Sequence, residues 1–165
     1  MNLPVRKATR LKDFDYSSHG AYFVTICTKD RKQILSHISV GQGFTPAEVK
    51  LTSLGKIAQF QLLELEKRFS HVTIDKYVIM PNHIHIIFFI KNDTAGASPC
   101  PTLSDIICTY KSLTTRKCKE IYPCDRIFQT SFYDHIIRDY RDYEKCWIYI
   151  ENNPARWCED KYYCE

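Results

Sequence analysis

Two apolar runs, Tyr77-Val78-Ile79-Met80 and Ile84 through Ile90, flank the pair Pro81-Asn82. Both are dense in β-branched and aromatic residues, and a Pro-Asn break between such runs predicts two short buried strands joined by a tight turn. The pattern places those strands over 71–79 and 83–90. Residues 21–28, from Ala21 to Thr28, have the same character and predict a first strand. Residues 33–51 hold only short apolar patches around Gly41 and Gly43, which fit a small hairpin or an irregular excursion.

Elsewhere the apolar period is helical. Leu54, Ile57, Ala58, Leu62, Leu65 and Phe69 predict a helix over 53–69, with Thr52 or Ser53 as its cap. Leu103, Ile106, Ile107, Tyr110 and Leu113 form the stripe of a second helix running to about residue 121. Breakers fill 91–101, and 128–137 reads as a further strand or an extended connection. Asp139 caps a last helix over 140–152, stopped by Pro154, because the residue before a proline is pushed out of the helical region. At ~100° per residue, Tyr143, Cys146, Trp147 and Ile150 share the face expected to be buried. Tyr149 lies off that face and shares a side with Asn153. The order β, α, β, β, α and a final helix makes the fold α+β. It predicts a single-domain ferredoxin-like sandwich over 1–165, an antiparallel sheet with helices packed on it.

Composition narrows the class without naming a function. With 165 residues, 44% hydrophobic and 25% charged, the chain is long enough to bury a core in one domain. No run approaches the roughly 18 apolar residues of a membrane span, and the N-terminus lacks an apolar signal core, so a cytoplasmic protein with no membrane partner is expected. The 8 cysteines include no C-x-x-C pair and read as reduced thiols, mostly small core hydrophobes, which argues against a zinc finger or a disulfide scaffold. A net charge of +4 permits a nucleic-acid partner without requiring one. Its placement is more informative. Residues 1–12 form a basic arm with Arg6, Lys7, Arg10 and Lys12 and no acid, while 111–119 carry Lys111, Arg116, Lys117 and Lys119, also with none. Lys111, Thr115 and Lys119 fall at i, i+4 and i+8, either a solvated face or one turned to phosphates.

The candidate chemistry lies on the predicted strand at 83–90. Residues two apart on a strand project from the same side, so His83 and His85 stand together while Ile84 points to the core. Such a pair can hold a divalent metal on one sheet face. Hydrogen-bonded core or edge histidines, or two ligands of a structural zinc, satisfy the same spacing. Tyr149 by itself reads as an exposed or half-buried aromatic.

Taken together these motifs resemble a known family. Val78 through Ile87, with Pro81-Asn82-His83-Ile84-His85 at its centre, resembles the His-hydrophobic-His (HUH) motif of single-tyrosine transposases of the IS200-like type. Asp134-His135-Ile136-Ile137-Arg138-Asp139, followed by Tyr149-Ile150-Glu151-Asn152-Asn153-Pro154, is similar to their tyrosine-helix region, and Asp15-Tyr16-Ser17 with Gly20 to Thr28 is similar to the REP-associated branch. The match spans about residues 10 to 157. It implies a single-stranded DNA endonuclease and strand transferase acting on hairpin DNA, with Tyr149 as nucleophile and His83, His85 and Asn153 as ligands of Mg²⁺ or Mn²⁺. Such an enzyme cuts through a covalent 5′-phosphotyrosine and rejoins without ATP.

By the same resemblance Gln129 and Arg138 are DNA contacts and His135 supports the site. The basic arm (Arg6, Lys7, Arg10) with Lys111, Arg116 and Lys119 is expected to meet phosphates. Phe128-Gln129 stands where the family usually has Trp-Gln, which keeps an aromatic and loses an indole N–H donor. No residue emerges as the base for Tyr149, a role that metal or solvent could fill; Lys145, one turn earlier, could lower the tyrosine pKa or be plain helix surface. Monomer and homodimer both stay open, as does the choice between a tyrosine acting on its own metal or a partner's. A catalytically silent hairpin-binding protein and another nicking role are the competing readings, with a nucleoid-associated bacterial protein as the setting.

Overall fold

The computed structural model describes residues 19–39, 47–91 and 101–163. Arg6, Lys7 and Arg10 lie outside the described residues. The elements run β1 (Gly20–Cys27), β2 (Ser36–Ser39), β3 (Glu48–Leu51), α1 (Ser53–Arg68), β4 (Val72–Ile79), β5 (His83–Ile90), α2 (Leu103–Cys118), β6 (Tyr133–Ile137) and α3 (Tyr140–Asn152), with a 3₁₀ segment at Pro154–Glu159. The main sheet has the order β4-β5-β1-β6, and every neighbouring pair is antiparallel. This is the expected α+β arrangement of ferredoxin-like type, with β1 and β5 central. The ambiguous segment at 33–51 resolves into β2 and β3, a two-stranded antiparallel sheet of its own.

The strand period sorts residues onto two faces. Tyr22, Val24 and Ile26 of β1 and Ile84, Ile86, Phe88 and Ile90 of β5 turn to one side, where they pack with Leu62 and Leu65 of α1 and Ile106, Ile107 and Tyr110 of α2. Each such side chain is worth about 1.5–3 kcal/mol when fully buried, so this face carries most of the stability. The opposite face holds a smaller cluster, Phe23, Ile87 and Ile137 against Ile150 of α3. His83 and His85 belong to this second face, on the central strand β5, paired across to Cys27 and Thr25 of β1.

The caps expected at Thr52 and Asp139 form, and α2 has one besides. Thr52 accepts the Gly55 N–H at 3.0 Å and its hydroxyl meets the carbonyls of Ile34 and Leu35. Thr102 and Asp105 form a reciprocal capping box on α2. Asp139 accepts the Asp142 N–H at 2.9 Å at the start of α3.

Three expectations need correction. The face of α3 read as buried is only partly so: Ile150 is buried, Tyr143 and Cys146 are half-buried, and Trp147 is 36% exposed. The reason is that this end of α3 lies over the polar edge strand β4, where Tyr143 donates to Asp75 at 2.8 Å and the Lys76 ammonium sits 3.9 Å from the Trp147 ring centre while pairing with Glu151. The strand expected within 128–137 is confined to β6; Phe128 makes an isolated bridge to Thr28 and is buried. The six described cysteines are unpaired as expected, yet only Cys118 among them is a core residue, with Cys27, Cys124 and Cys146 half-buried and Cys108 and Cys158 exposed.

Gly55 sits where the first turn of α1 meets the β2 approach. A Cβ there would lie 1.9 Å from the Leu35 carbonyl oxygen, a contact with backbone that no rotamer relieves. Gly55→Ala is therefore expected to lower unfolding free energy by about 2 kcal/mol or more despite alanine's better helix propensity, seen as a lower urea midpoint at unchanged slope.

Candidate metal and tyrosine site

Both imidazoles at the start of β5 are fully buried, and each is tied down through its Nδ1. His83 Nδ1 lies 2.8 Å from Asn82 Oδ1, while the Asn82 amide donates to the Tyr162 carbonyl at 2.7 Å. The atom that Asn82 turns to His83 is its carbonyl oxygen, which only accepts, so a neutral His83 carries its proton on Nδ1 and leaves Nε2 with a lone pair. His85 Nδ1 lies 2.9 Å from the buried Thr25 hydroxyl, which can donate or accept. The two Nε2 atoms therefore converge, 3.0 Å apart. Burial pushes His83 down from 6.5 to about 4, with Asp160 opposing, and burial with the neighbouring His83 holds His85 well below the usual range. Both rings are neutral at pH 7, as metal ligands must be.

Tyr149 and Asn153 arrive from α3 and its C-cap. Tyr149 is 41% exposed, with its ring edge-on to His85 at 5.2 Å and to Phe23 at 5.9 Å. Asn153 is buried (4% exposed), which a purely solvent-facing cap would not be. Its Nδ2 donates to Asp160 Oδ2 at 2.6 Å, and its Oδ1 is buried with no hydrogen-bond partner. The Tyr149 hydroxyl donates to the same Asp160 oxygen at 3.3 Å. Burial and then the Asp160 charge push the phenol up from 10, so it is protonated at neutral pH. That carboxylate acts in the opposite sense to the ammonium considered at Lys145.

Asp160 was not legible in the sequence. It follows the 3₁₀ segment Pro154–Glu159, outside any periodic element, and only the backward fold of that segment brings it to the histidines. One of its oxygens accepts the Tyr162 N–H at 2.6 Å, and the Tyr162 ring lies 4.7 Å from that of His83. Ligand atoms of His83, His85 and Asp160 all fall within 4.8 Å of one another. Two imidazole nitrogens and a nearby carboxylate, with the unpartnered amide oxygen of Asn153 on the C-cap of α3, offer N and O atoms of the kind that suit Mg²⁺, Mn²⁺ or Zn²⁺. The orphaned Asn153 oxygen is what a metal would satisfy, since leaving it unpaired costs about 1–3 kcal/mol. A cleft of about 520 Å³, lined by Lys145, Tyr149, Asn153, Arg156 and Lys161 among others, opens beside these groups.

The other predicted residues fall in two places. His135 of β6 bonds through Nε2 to Asp142 at 2.8 Å, tying β6 to the first turn of α3, and it lines a recess shared with Phe23 and Tyr149. Arg138 is exposed next to that link, its backbone N–H on Asp142. Arg116, Lys119 and Gln129, with Lys111, border a separate cleft of about 450 Å³ that also takes in Arg126 and has no acid in its lining. Lys111 is committed inside it: its ammonium donates to the carbonyls of Gln129, Thr130 and Ser131, and burial pushes it down to about 8. Arg126 lies on a loop and had no sequence signal beyond its charge.

The two regions are joined through β1. The Gln129 N–H donates to the Cys27 carbonyl, and Cys27 pairs with His83. The backbone at 128–129 is thus two strand spacings, roughly 10 Å, from that of His83.

No family model matches the chain. It is 33% identical, over 178 aligned positions, to an uncharacterised protein of Haemophilus influenzae, covering 97% of this chain and 94% of that one. Among solved structures it resembles a REP-associated tyrosine transposase bound to a REP hairpin, with a TM-score of 0.62 and 21% identity over 86% of this chain and 70% of the other. A candidate transposase from Deinococcus radiodurans follows, with a TM-score of 0.51 and 14% identity over 87% and 95%. At these identities the likeness is one of fold.

The buried imidazoles give a pH signature. In metal-free protein the folded state refuses protons that the unfolded histidines accept below 6.5, so stability falls as pH drops from 6.5 towards 4. Melting scans in chelator at pH 7 and pH 5 are expected to differ, and His83→Gln is expected to shrink that difference.

Proposed function

The chain belongs to one family with the Haemophilus influenzae protein and has the fold of a REP-associated tyrosine transposase, and from that premise we propose a metal-dependent endonuclease and strand transferase for single-stranded hairpin DNA. The observation that carries the reading is the meeting, within one chain, of the Tyr149 ring with the converging Nε2 atoms of His83 and His85.

His83 and His85, with Asn153 Oδ1, would hold a divalent ion, Mg²⁺ or Mn²⁺, whose charge would polarise a scissile phosphate. The chain's residues supply the rest. Thr25 and Asn82 keep both imidazoles aimed, so little reorganisation is needed when substrate arrives. Tyr149 loses its proton and attacks the phosphorus through its oxygen. The O–P bond to tyrosine forms, the P–O3′ bond breaks, and the leaving oxygen takes a proton to become a free 3′-hydroxyl. The product is a 5′-phosphotyrosine, an ester exchanged for an ester, so a later hydroxyl can reverse the step without ATP. The docking of α3 over its own sheet, with the Tyr149 ring beside His85, supports a tyrosine acting on the metal of its own chain. Residues 1–165 act as one unit on DNA in the bacterial cytoplasm, at the nucleoid.

Substrate phosphates are held by Arg116, Lys119 and Arg126 along the acid-free cleft, with Gln129 at its rim. The arm residues Arg6, Lys7 and Arg10, and Arg138 beside the His135–Asp142 link, extend this grip; His135 supports α3 and does not touch the ion. Lys111 braces the loop at 129–131 and contributes less to phosphate binding than its charge implies.

A second reading, a catalytically silent hairpin-binding protein, is favoured by the protonated state of Tyr149 and its hydrogen bond to Asp160. One gel separates the two. Hairpin oligonucleotides from palindromes flanking the gene, incubated with Mg²⁺ or Mn²⁺, are expected to give a covalent adduct carrying the 3′-side fragment, lost in Tyr149→Phe and His83→Ala. Tight binding with no adduct under any metal would leave the binding protein as the answer.

The acid-free cleft is tested separately. Combining Arg116→Ala with Lys119→Ala is expected to flatten the slope of log affinity against log salt by roughly 0.7 for each lost single-strand phosphate contact, with adduct chemistry at saturating DNA intact.

A further inference from the structure

The Asn153 amide could turn either of its ends towards the histidines. A half-turn about its last torsion exchanges Oδ1 and Nδ2 at almost no steric cost. With the amino group inward, its carbonyl oxygen would instead lie against the Asp160 carboxylate, acceptor against acceptor. The structure has the opposite orientation, with Oδ1 buried and unpartnered. The cause lies on the outer side of the amide, where Asp160 Oδ2 sits 2.6 Å from Nδ2. A carboxylate only accepts, so it selects the amino end and forces the carbonyl inward. Asp160 is itself held from behind, its other oxygen accepting the Tyr162 N–H at 2.6 Å.

We propose that Asp160 is a positioning residue for the metal centre: its carboxylate locks the Asn153 amide with Oδ1 facing the His83 and His85 Nε2 atoms, and the same oxygen holds the Tyr149 hydroxyl in reserve. The inference rests on the reading of His83, His85 and Asn153 as metal ligands. It gives the site a ready-made oxygen at the expense of an unsatisfied carbonyl in the metal-free chain, an exchange that bound metal reverses. It also joins the nucleophile and the ligand through a single atom, Asp160 Oδ2.

A double-mutant cycle on Mn²⁺ affinity, read by the loss of the free-ion electron paramagnetic resonance signal, tests it without DNA or turnover. Asp160→Ala is expected to weaken Mn²⁺ about 10–100-fold, the range for losing an outer-shell partner. Asn153→Ala should cost at least as much, and adding Asp160→Ala to Asn153→Ala should cost nothing further, because Asp160 acts through the amide. If Asp160→Ala does not fold by melting scan, Asp160→Asn takes its place in the cycle, since an amide can serve only one of the two N–H donors that the carboxylate accepts. Wild-type affinity in the single Asp160 variant would overturn the proposal. So would losses that multiply in the double variant, which would make Asp160 a ligand in its own right. Should the wild-type chain bind no Mn²⁺ while His83→Ala behaves identically, the metal-centre reading itself fails and this inference fails with it.

Discussion

Everything in the site depends on two imidazoles being buried side by side on a central strand. A strand alternates its side chains, so β5 can bury Ile84, Ile86 and Phe88 in the main core only by turning His83 and His85 to the other face. Desolvation keeps both rings neutral there, and neutral rings need partners for their N–H groups. Asn82 and Thr25 occupy the Nδ1 positions, which leaves the Nε2 atoms nowhere to point except at each other. A geometry that could hold a metal therefore comes out of ordinary rules for burying polar groups.

The second face of the sheet is consequently a compromise between packing and chemistry. Its apolar cluster is small, Phe23, Ile87, Ile137 and Ile150, and much of the attachment of α3 is polar: Tyr143 to Asp75, Lys76 to Glu151, and His135 to Asp142. A helix held this way is positioned by directional contacts at its two ends and by one buried isoleucine near the middle of its last turns. Such contacts set the azimuth of the helix, which decides whether Tyr149 faces the histidines or solvent. The main core, by contrast, sets stability and tolerates no intrusion where α1 touches the Leu35 carbonyl.

Charge is segregated along the same architecture. The cleft between α2 and the loop near residue 128 has cations and no acid, while the tyrosine site includes Asp160 and Glu159 next to Arg156 and Lys161. A polyanion would meet attraction along the first surface and a mixed field at the second. The Thr28–Phe128 bridge and the Gln129–Cys27 hydrogen bond connect the two surfaces through a few residues of extended backbone.

How much of this was legible in the chain depends on whether the determinant was local. Strand and helix positions followed from periodicities of two and 3.6 residues, the His83–His85 pairing followed from alternation alone, and Tyr149 with Asn153 followed from four-residue helical spacing. The motif resemblance rested on those same residues. What the order of residues left open was decided by contacts distant in sequence. Trp147 was counted as core because a helical wheel has no knowledge of the polar edge of β4, and the hydrogen bonds of Lys111 could not be foreseen because its carbonyl partners lie on a loop nearly twenty residues away. Asp160 had no periodic context at all. Its place beside Asn153, Tyr149 and the histidines exists only because the chain turns back after Pro154, and a hydrogen bond formed by such a return belongs to the tertiary structure and to nothing shorter.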